Sequence, residues 1–218
     1  MPISDDDSGS GIAESVTSET DLFNDALGMI GQTPIRMAGD GSVASNRCAT
    51  FYTPLRKGLL RSHRWNFAER RVELAQLSTA PVFGYTYAYQ LPAQCLRVWE
   101  YNGAGVQTTG YIDYYGLGNR YQPMFKIEGR SLVSYDAQAF IVYSEDVNNP
   151  SLWDALFYQV VVTWLASKLA ASIPKNDTKA DMLMKQAVTV LLPMALAADG
   201  QEGSTEPFQA DTLTWGRR

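Results

Sequence analysis

Histidine occurs once in the chain, at His63, and cysteine twice, at Cys48 and Cys95. Ser–His or Cys–His catalysis and most zinc sites would all have to draw on that single imidazole. Two cysteines far apart in sequence make neither a disulfide framework nor a metal-ligand spacing, so the expectation is a reducing compartment, no metal and no cofactor. Charged residues are 19% of the sequence and the net charge is −5, whereas a surface that grips nucleic acid needs clustered Lys and Arg to release phosphate counterions. A passage through which DNA merely slides is a different case, because a mildly acidic wall does not hold it. No run of about 18 apolar residues is present, the length a spanning helix needs. Residues 1–14 are acidic and rich in Ser and Gly, the opposite of a signal peptide. These absences predict a soluble protein made in a cytoplasm, with no membrane partner. The glycine pairs Gly39/Gly41 and Gly116/Gly118 lead into no Gly-Lys-Ser/Thr and read as turns, not as phosphate loops.

What the sequence has in quantity is aromatic side chains, with 12 Tyr, 8 Phe and 5 Trp. They favour strands and protein interfaces, where they bury large area while keeping a polar handle.

Residues 1–16 carry too little apolar surface to offset ordering entropy and read as a disordered extension. A helix is predicted from about Thr17–Thr20, with Asp21 in its first turn, an apolar stripe of Leu22, Phe23, Ala26, Leu27 and Ile30, and a stop at Gly31. Ser42 caps a second helix to about Arg64, with Ala44, Cys48, Phe51, Leu55 and Leu59 on one face and Arg47, Arg56, Lys57, Arg61 and Arg64 on the other. Pro54 lies inside it and should kink or split it. From about Asn66 the period shortens: Phe83, Tyr85, Tyr87, Tyr89 and Leu91 alternate as in a strand. Residues 95–101 and 139–143 are further strands, and 124–127 with 131–135 form a hairpin around Gly129. Residues 103–123, rich in Gly, Asn and Tyr, read as an excursion between strands.

Helices return at Pro150, with Ser151 and Asp154 as a capping box. The spread of Trp153, Leu156, Phe157, Val160, Val161, Trp164 and Leu165 predicts a helix buried on most sides. A last helix from Asn176 or Asp177 turns Leu183, Ala187, Val190 and Leu191 inward and weakens at Pro193.

The expected fold is therefore α+β. A discontinuous α-helical domain of two N-terminal and two C-terminal helices (17–65 and 150–198) carries an inserted, mainly antiparallel β domain (66–149). An extended C-terminal arm (199–218) follows. That arm cannot fold alone, yet it carries Phe208, Leu213 and Trp215 as spaced apolar anchors, then Arg217 and Arg218; such residues are typical of a segment that orders on a partner, the alternative being that Trp215 tucks against this chain's own helices.

Chemistry-bearing groups are few. His63 reads as a helix-end side chain and Cys48 as a core residue. Carboxylate pairs such as Glu145 and Asp146 could in principle support glycoside hydrolysis, although acids just before a helix are ordinarily solvated. Arg56, Lys57, Arg61 and Arg64 read either as a solvated face pairing with Glu19, Asp21 or Asp25, or as a contact between subunits. The Tyr85, Tyr87 and Tyr89 ladder lacks the interleaved cations of a base-stacking platform. No catalytic constellation emerges.

Several motifs together resemble the podoviral head-to-tail adaptor family, which includes proteins called tail tubular protein A. They are Asn46, Arg47, Cys48, Phe51 and Tyr52; then Leu59 through Ala68 with His63 and Trp65; then Arg70, Leu74 and Ala75. Upstream lies Ala26 to Gly31. Downstream come Tyr87 to Pro92, Cys95 to Val98, and Phe140 to Val147 leading into the Trp153 helix. The resemblance spans roughly residues 20–195, and the chain departs from it at Gln94 and in its acidic extension.

The resemblance implies a structural, non-enzymatic protein of a short-tailed bacteriophage virion, placed at the head–tail junction after assembly in the host cytoplasm. It implies a homo-oligomeric ring of about twelve copies between a portal protein and a tail nozzle protein. Genomic DNA passes through that ring without sequence readout. The arm with Phe208, Leu213, Trp215, Arg217 and Arg218 would dock on the portal. The competing readings are a virion-associated polysaccharide hydrolase and a DNA-binding terminator of packaging.

Overall fold

The computed structural model describes residues 17–103 and 124–202. The N-terminal extension, nearly all of the 103–123 excursion, and the arm residues Phe208, Leu213, Trp215, Arg217 and Arg218 lie outside the described residues. Those described form four helices and two three-stranded antiparallel sheets, a mixed α+β structure.

Helix α1 (Glu19–Met29) starts at Ser18, whose hydroxyl accepts from the Asp21 amide while Asp21 accepts from the Ser18 amide at 2.9 Å. That reciprocal bonding satisfies donors the first turn leaves open. Gly31, just beyond its end, has φ +72°, the left-handed conformation that costs glycine least. Helix α2 (Val43–Ser62) is capped by Ser42. Pro54 does not split it: Pro54 and Thr50, whose carbonyl loses its helical partner, both lie on the exposed side, open to solvent.

The buried face of α2 is rotated from the expected one. Ser45, Cys48, Tyr52, Arg56, Leu59 and Leu60 are buried, while Ala44, Phe51 and Leu55 are half-buried. The charge on Arg56 hid the true stripe, because pattern reading assigns arginine to solvent.

Between the helices, β1 (Glu69–Glu73), β6 (Ala139–Glu145) and β3 (Cys95–Gly103) form one sheet in the order β1-β6-β3. The other sheet, ordered β2-β5-β4, contains β2 (Tyr87–Gln90), β5 (Ser131–Ser134) and β4 (Phe125–Glu128). The β4–β5 hairpin closes through Gly129, whose φ of +61° suits the first central position of a tight two-residue turn. Strand β1 escaped the sequence reading because Glu69, Arg70, Arg71 and Glu73 mask its single apolar residue, Val72. The predicted 83–91 strand shortens to β2. Ahead of it Val82 and Phe83 stand 98% and 88% exposed, and Gly84 at φ +89° turns the chain.

Helix α3 (Ala155–Ser172) begins later than Ser151, which belongs to a 3₁₀ turn. Asp154 is its N-cap, accepting from the Leu156 and Phe157 amides at 2.8 and 3.1 Å. Val160, Val161, Val162, Thr163, Leu165 and Ala166 are buried in succession, so α3 is enclosed on most sides as expected. Helix α4 (Asp177–Gln201) is capped by Asn176 and continues past Pro193 instead of weakening there. A π-turn at Ala187–Leu191 precedes the proline; such a turn re-spaces the hydrogen-bond ladder where the proline N–H is missing. Leu183 and Ala187 are buried, but Val190, expected inward, is exposed.

Both α3 and α4 are long and apolar enough, by length and composition, to cross a membrane. Counting uninterrupted apolar runs misses them, because isolated Lys, Asp and Thr break the runs without lowering the average much. In α3 the explanation is core packing.

One apolar cluster gathers Phe23, Leu27, Tyr52, Leu60, Phe157 and Leu165 from α1, α2 and α3 and Trp65 from the segment after α2, with Leu183 and Ala195 added from α4. A smaller cluster lies among the strands around Tyr89, Tyr101, Leu132 and Ile141.

Candidate interaction surface

Of the basic residues on and just after α2 only Arg56 is buried, but most of the others are also bonded within the chain. Arg56, only 6% exposed, lies over the Tyr52 ring and makes a two-pronged bond to Asp146, Nε to Oδ1 at 3.0 Å and a terminal nitrogen to Oδ2 at 3.2 Å. Lys57 reaches the same carboxylate at 3.4 Å. Arg61 donates to the Leu96 carbonyl. Arg64 donates to Glu69 at 2.6 Å and also to Glu100. The acids that neutralise this face are therefore Asp146, Glu69 and Glu100, not Glu19, Asp21 or Asp25. Together these contacts tie α2 to β1, β3 and the end of β6. Arg47 remains exposed.

Asp146 is thus no solvated acid: its side chain is 15% exposed and held by two cations. Glu145 pairs with Arg70 at 3.0 Å. With both carboxylates committed to cations, neither is placed as the proton donor a glycosidase requires. Burial pushes the Cys48 thiol up to about 11, which suppresses the thiolate a nucleophile needs.

His63 caps the end of α2 and packs edge-on against Trp65. Its Nε2 stands 3.0 Å from Asp199 Oδ2 in α4. The other oxygen of Asp199 accepts from the Asn66 amide at 2.9 Å, and its backbone carbonyl accepts from the Asn66 side chain at 2.6 Å. Asp199, expected to open the arm, is instead a buried clasp between α4 and the α2 terminus. Nothing in local spacing marks it, because its partners lie more than a hundred residues away in sequence. Among the described residues, no group of three or more His, Cys, Asp or Glu side chains is arranged to hold a metal.

The tyrosines divide. Tyr89 is buried, and its hydroxyl donates to the Asp136 carbonyl, while Tyr85 packs on Tyr135 with ring centres 4.9 Å apart. These are packing roles within the strand region.

Two surface features remain. The first is the outer face of α4: Met182, Val188, Val190 and Met194 are exposed, and only 17% of its most apolar 18 residues are buried, against 56% in α3. The second is a groove between α2, α3 and α4, floored by Trp164 and Lys168 and walled by Phe51, Leu55, Gly58 and Leu192, of about 440 Å³. Periodicity finds such apolar residues but assigns them to the core by default; which are left uncovered is a tertiary fact.

Compared with known proteins, the chain matches no protein-family model and no curated protein.

Proposed function

We propose that this chain is a non-enzymatic building block of a bacteriophage virion, a head-to-tail adaptor that forms a ring between portal and tail nozzle. The observation that carries the ring is the exposed apolar face of α4. A helix long and apolar enough to cross a membrane leaves Met182, Val190 and Met194 in solvent, and large apolar side chains exposed together on one helix suit a protein interface. Heterologous contact between such faces and a different patch on the next copy is what closes a ring. The motifs running from Asn46 to Ala75 supply the rest of the reading. With Arg56, Arg61 and Arg64 engaged inside the chain, the subunit contact is assigned to α4 and not to the basic face of α2.

The helices before and after the strands form one discontinuous domain in this reading, with residues 66–149 as an insertion. Packing of α1 and α2 against α3 and α4 in a single cluster supports it. The arm beyond residue 202 docks on the portal, and DNA passes through the lumen without sequence readout.

Electron microscopy of the full chain mixed with its cognate portal tests the proposal, alongside each component alone. An added ring layer beneath the portal is the expected result, lost in Met182→Lys/Met194→Lys while the melting temperature is kept. Components that stay separate, or a chain that floats with lipid vesicles instead, would overturn it.

A further inference from the structure

We infer that the groove between α2, α3 and α4 is the seat of the chain's own C-terminal segment, residues 203–218, folded back in cis. The inference goes beyond the adaptor reading and does not depend on it.

The groove runs along the outward strip of the C-terminal half of α3. At one end Trp164 faces Gly58, Leu59 and Ser62 of α2 and Leu192 of α4. It continues past Lys168 and Phe51 into a second hollow of about 370 Å³, lined by Ala171, Ser172, Ala180 and Met184. From Trp164 to Ser172 is eight residues of helix, about 12 Å. The walls are mainly apolar, and the unmet polar atoms along them are of one kind. Trp164 Nε1 and Ser172 Oγ are both buried and find no partner among the described residues. Each carries a hydrogen to donate, and the Lys168 ammonium between them carries three. An occupant must therefore bring apolar side chains and hydrogen-bond acceptors. A purely aliphatic ligand leaves the donors unpaired, and a basic one meets Lys168.

Position selects the occupant. The described chain ends at Glu202, one turn beyond Asp199, which is clamped to His63 at 3.0 Å. His63 adjoins Ser62, which lines the groove. The segment thus starts beside the Trp164 end. Phe208, Leu213 and Trp215 follow within thirteen residues, a reach of up to about 45 Å when extended, several times the groove's length. Glu206, two residues before Phe208, and Asp211, between Phe208 and Leu213, supply acceptors for Lys168, while Arg217 and Arg218 come only after the last anchor. Tethering a segment this close raises its effective concentration to about the millimolar range, so modest contacts suffice. A segment seated in this way covers its own anchors, so any partner that needs Phe208, Leu213 or Trp215 must first displace it.

The test uses the full chain with p-benzoylphenylalanine in place of Trp215, irradiated at low micromolar concentration, with adducts mapped by mass spectrometry. Expected are intramolecular adducts on groove residues such as Met184, Leu55 and Lys168. Gly58→Arg should reduce their yield at least tenfold. A Cβ at Gly58 meets nothing within 4 Å, so that variant keeps the fold, which its melting curve verifies. Adducts elsewhere on the chain, adducts that join two copies, or a yield indifferent to Gly58→Arg would each overturn the inference.

Discussion

The helical cluster and the strand cluster are stabilised by different means. The first is almost wholly apolar and aromatic. Phe157 is in ring contact with Trp65, Phe67 and Trp153, at centroid distances of 4.8, 5.0 and 5.1 Å, and the Trp65 and Trp153 indoles donate to backbone carbonyls. The strand cluster is smaller and is organised around a polar knot. Tyr101 bonds Ser134 at 2.5 Å and Asp136 at 2.7 Å, and Asp136 fills the space that a side chain on Gly103 would need. Burial holds the Tyr101 hydroxyl protonated well above its ordinary range. The two regions meet across an ionic seam, Arg56–Asp146 and Arg64–Glu69. Apolar packing in one and hydrogen-bond completion in the other teach that comparable order can rest on interactions with very different tolerance to single changes.

Three substitutions sharpen that contrast. Phe157→Ala opens a cavity where three aromatic rings converge, and a loss of about 3–5 kcal/mol is expected in urea unfolding. If the strand region kept its near-ultraviolet signal after the helices melted, the two clusters would be independent units. Asp146→Ala comes next: it strands the nearly buried Arg56 without a counter-ion, with an expected cost of about 3 kcal/mol. Arg56→Met in the same background should recover much of that loss, because the orphaned charge is then gone. Tyr101→Phe keeps the ring stacked on Phe125 but unties the knot, and about 1–3 kcal/mol is expected. A neutral outcome there would mean that the strand cluster, like the helical one, rests on its apolar contacts.

How much of this was legible in the sequence follows from where each signal resides. The caps at Ser18 and Ser42, the α1 stripe and the all-round burial of α3 are local, set by residues three or four apart, and periodicity finds them. The hairpin at Gly129 is local too. Strand β1 was missed because a charged strand is specified by its neighbour β6, more than sixty residues on. The continuation of α4 through Pro193 was missed because a π-turn is invisible to a 3.6-residue period. The surface was least legible. Arg56 and Asp199 look exposed until a partner from a distant segment is placed beside them. The apolar residues of α4 look buried until nothing among the described residues is found to cover them. Both errors have one cause: residue type predicts average burial, whereas partnership decides it.

The smallest expected effect lies in the seam and is read through pH. Hydrogen bonding to the Arg64 guanidinium, outweighing partial burial, holds the Glu69 carboxyl below its ordinary range. A carboxyl with a lower pKa in the folded than in the unfolded chain contributes stability that is fully present above its unfolded pKa. That contribution is lost as pH falls through the folded value. Glu69→Gln should therefore cost stability at pH 7 and progressively less below about pH 4.5, with the two unfolding free energies converging in acid. Because Glu69 opens β1 and pairs with Arg64, which follows α2, and with Arg71 in β1 itself, the converging part measures both pairings, and Arg71→Ala separates the share that couples helices to strands. A gap between wild type and Glu69→Gln that stays constant from pH 7 to 3 would assign Glu69 a packing role, leaving Asp146 and Glu100 as the acids that tie the seam.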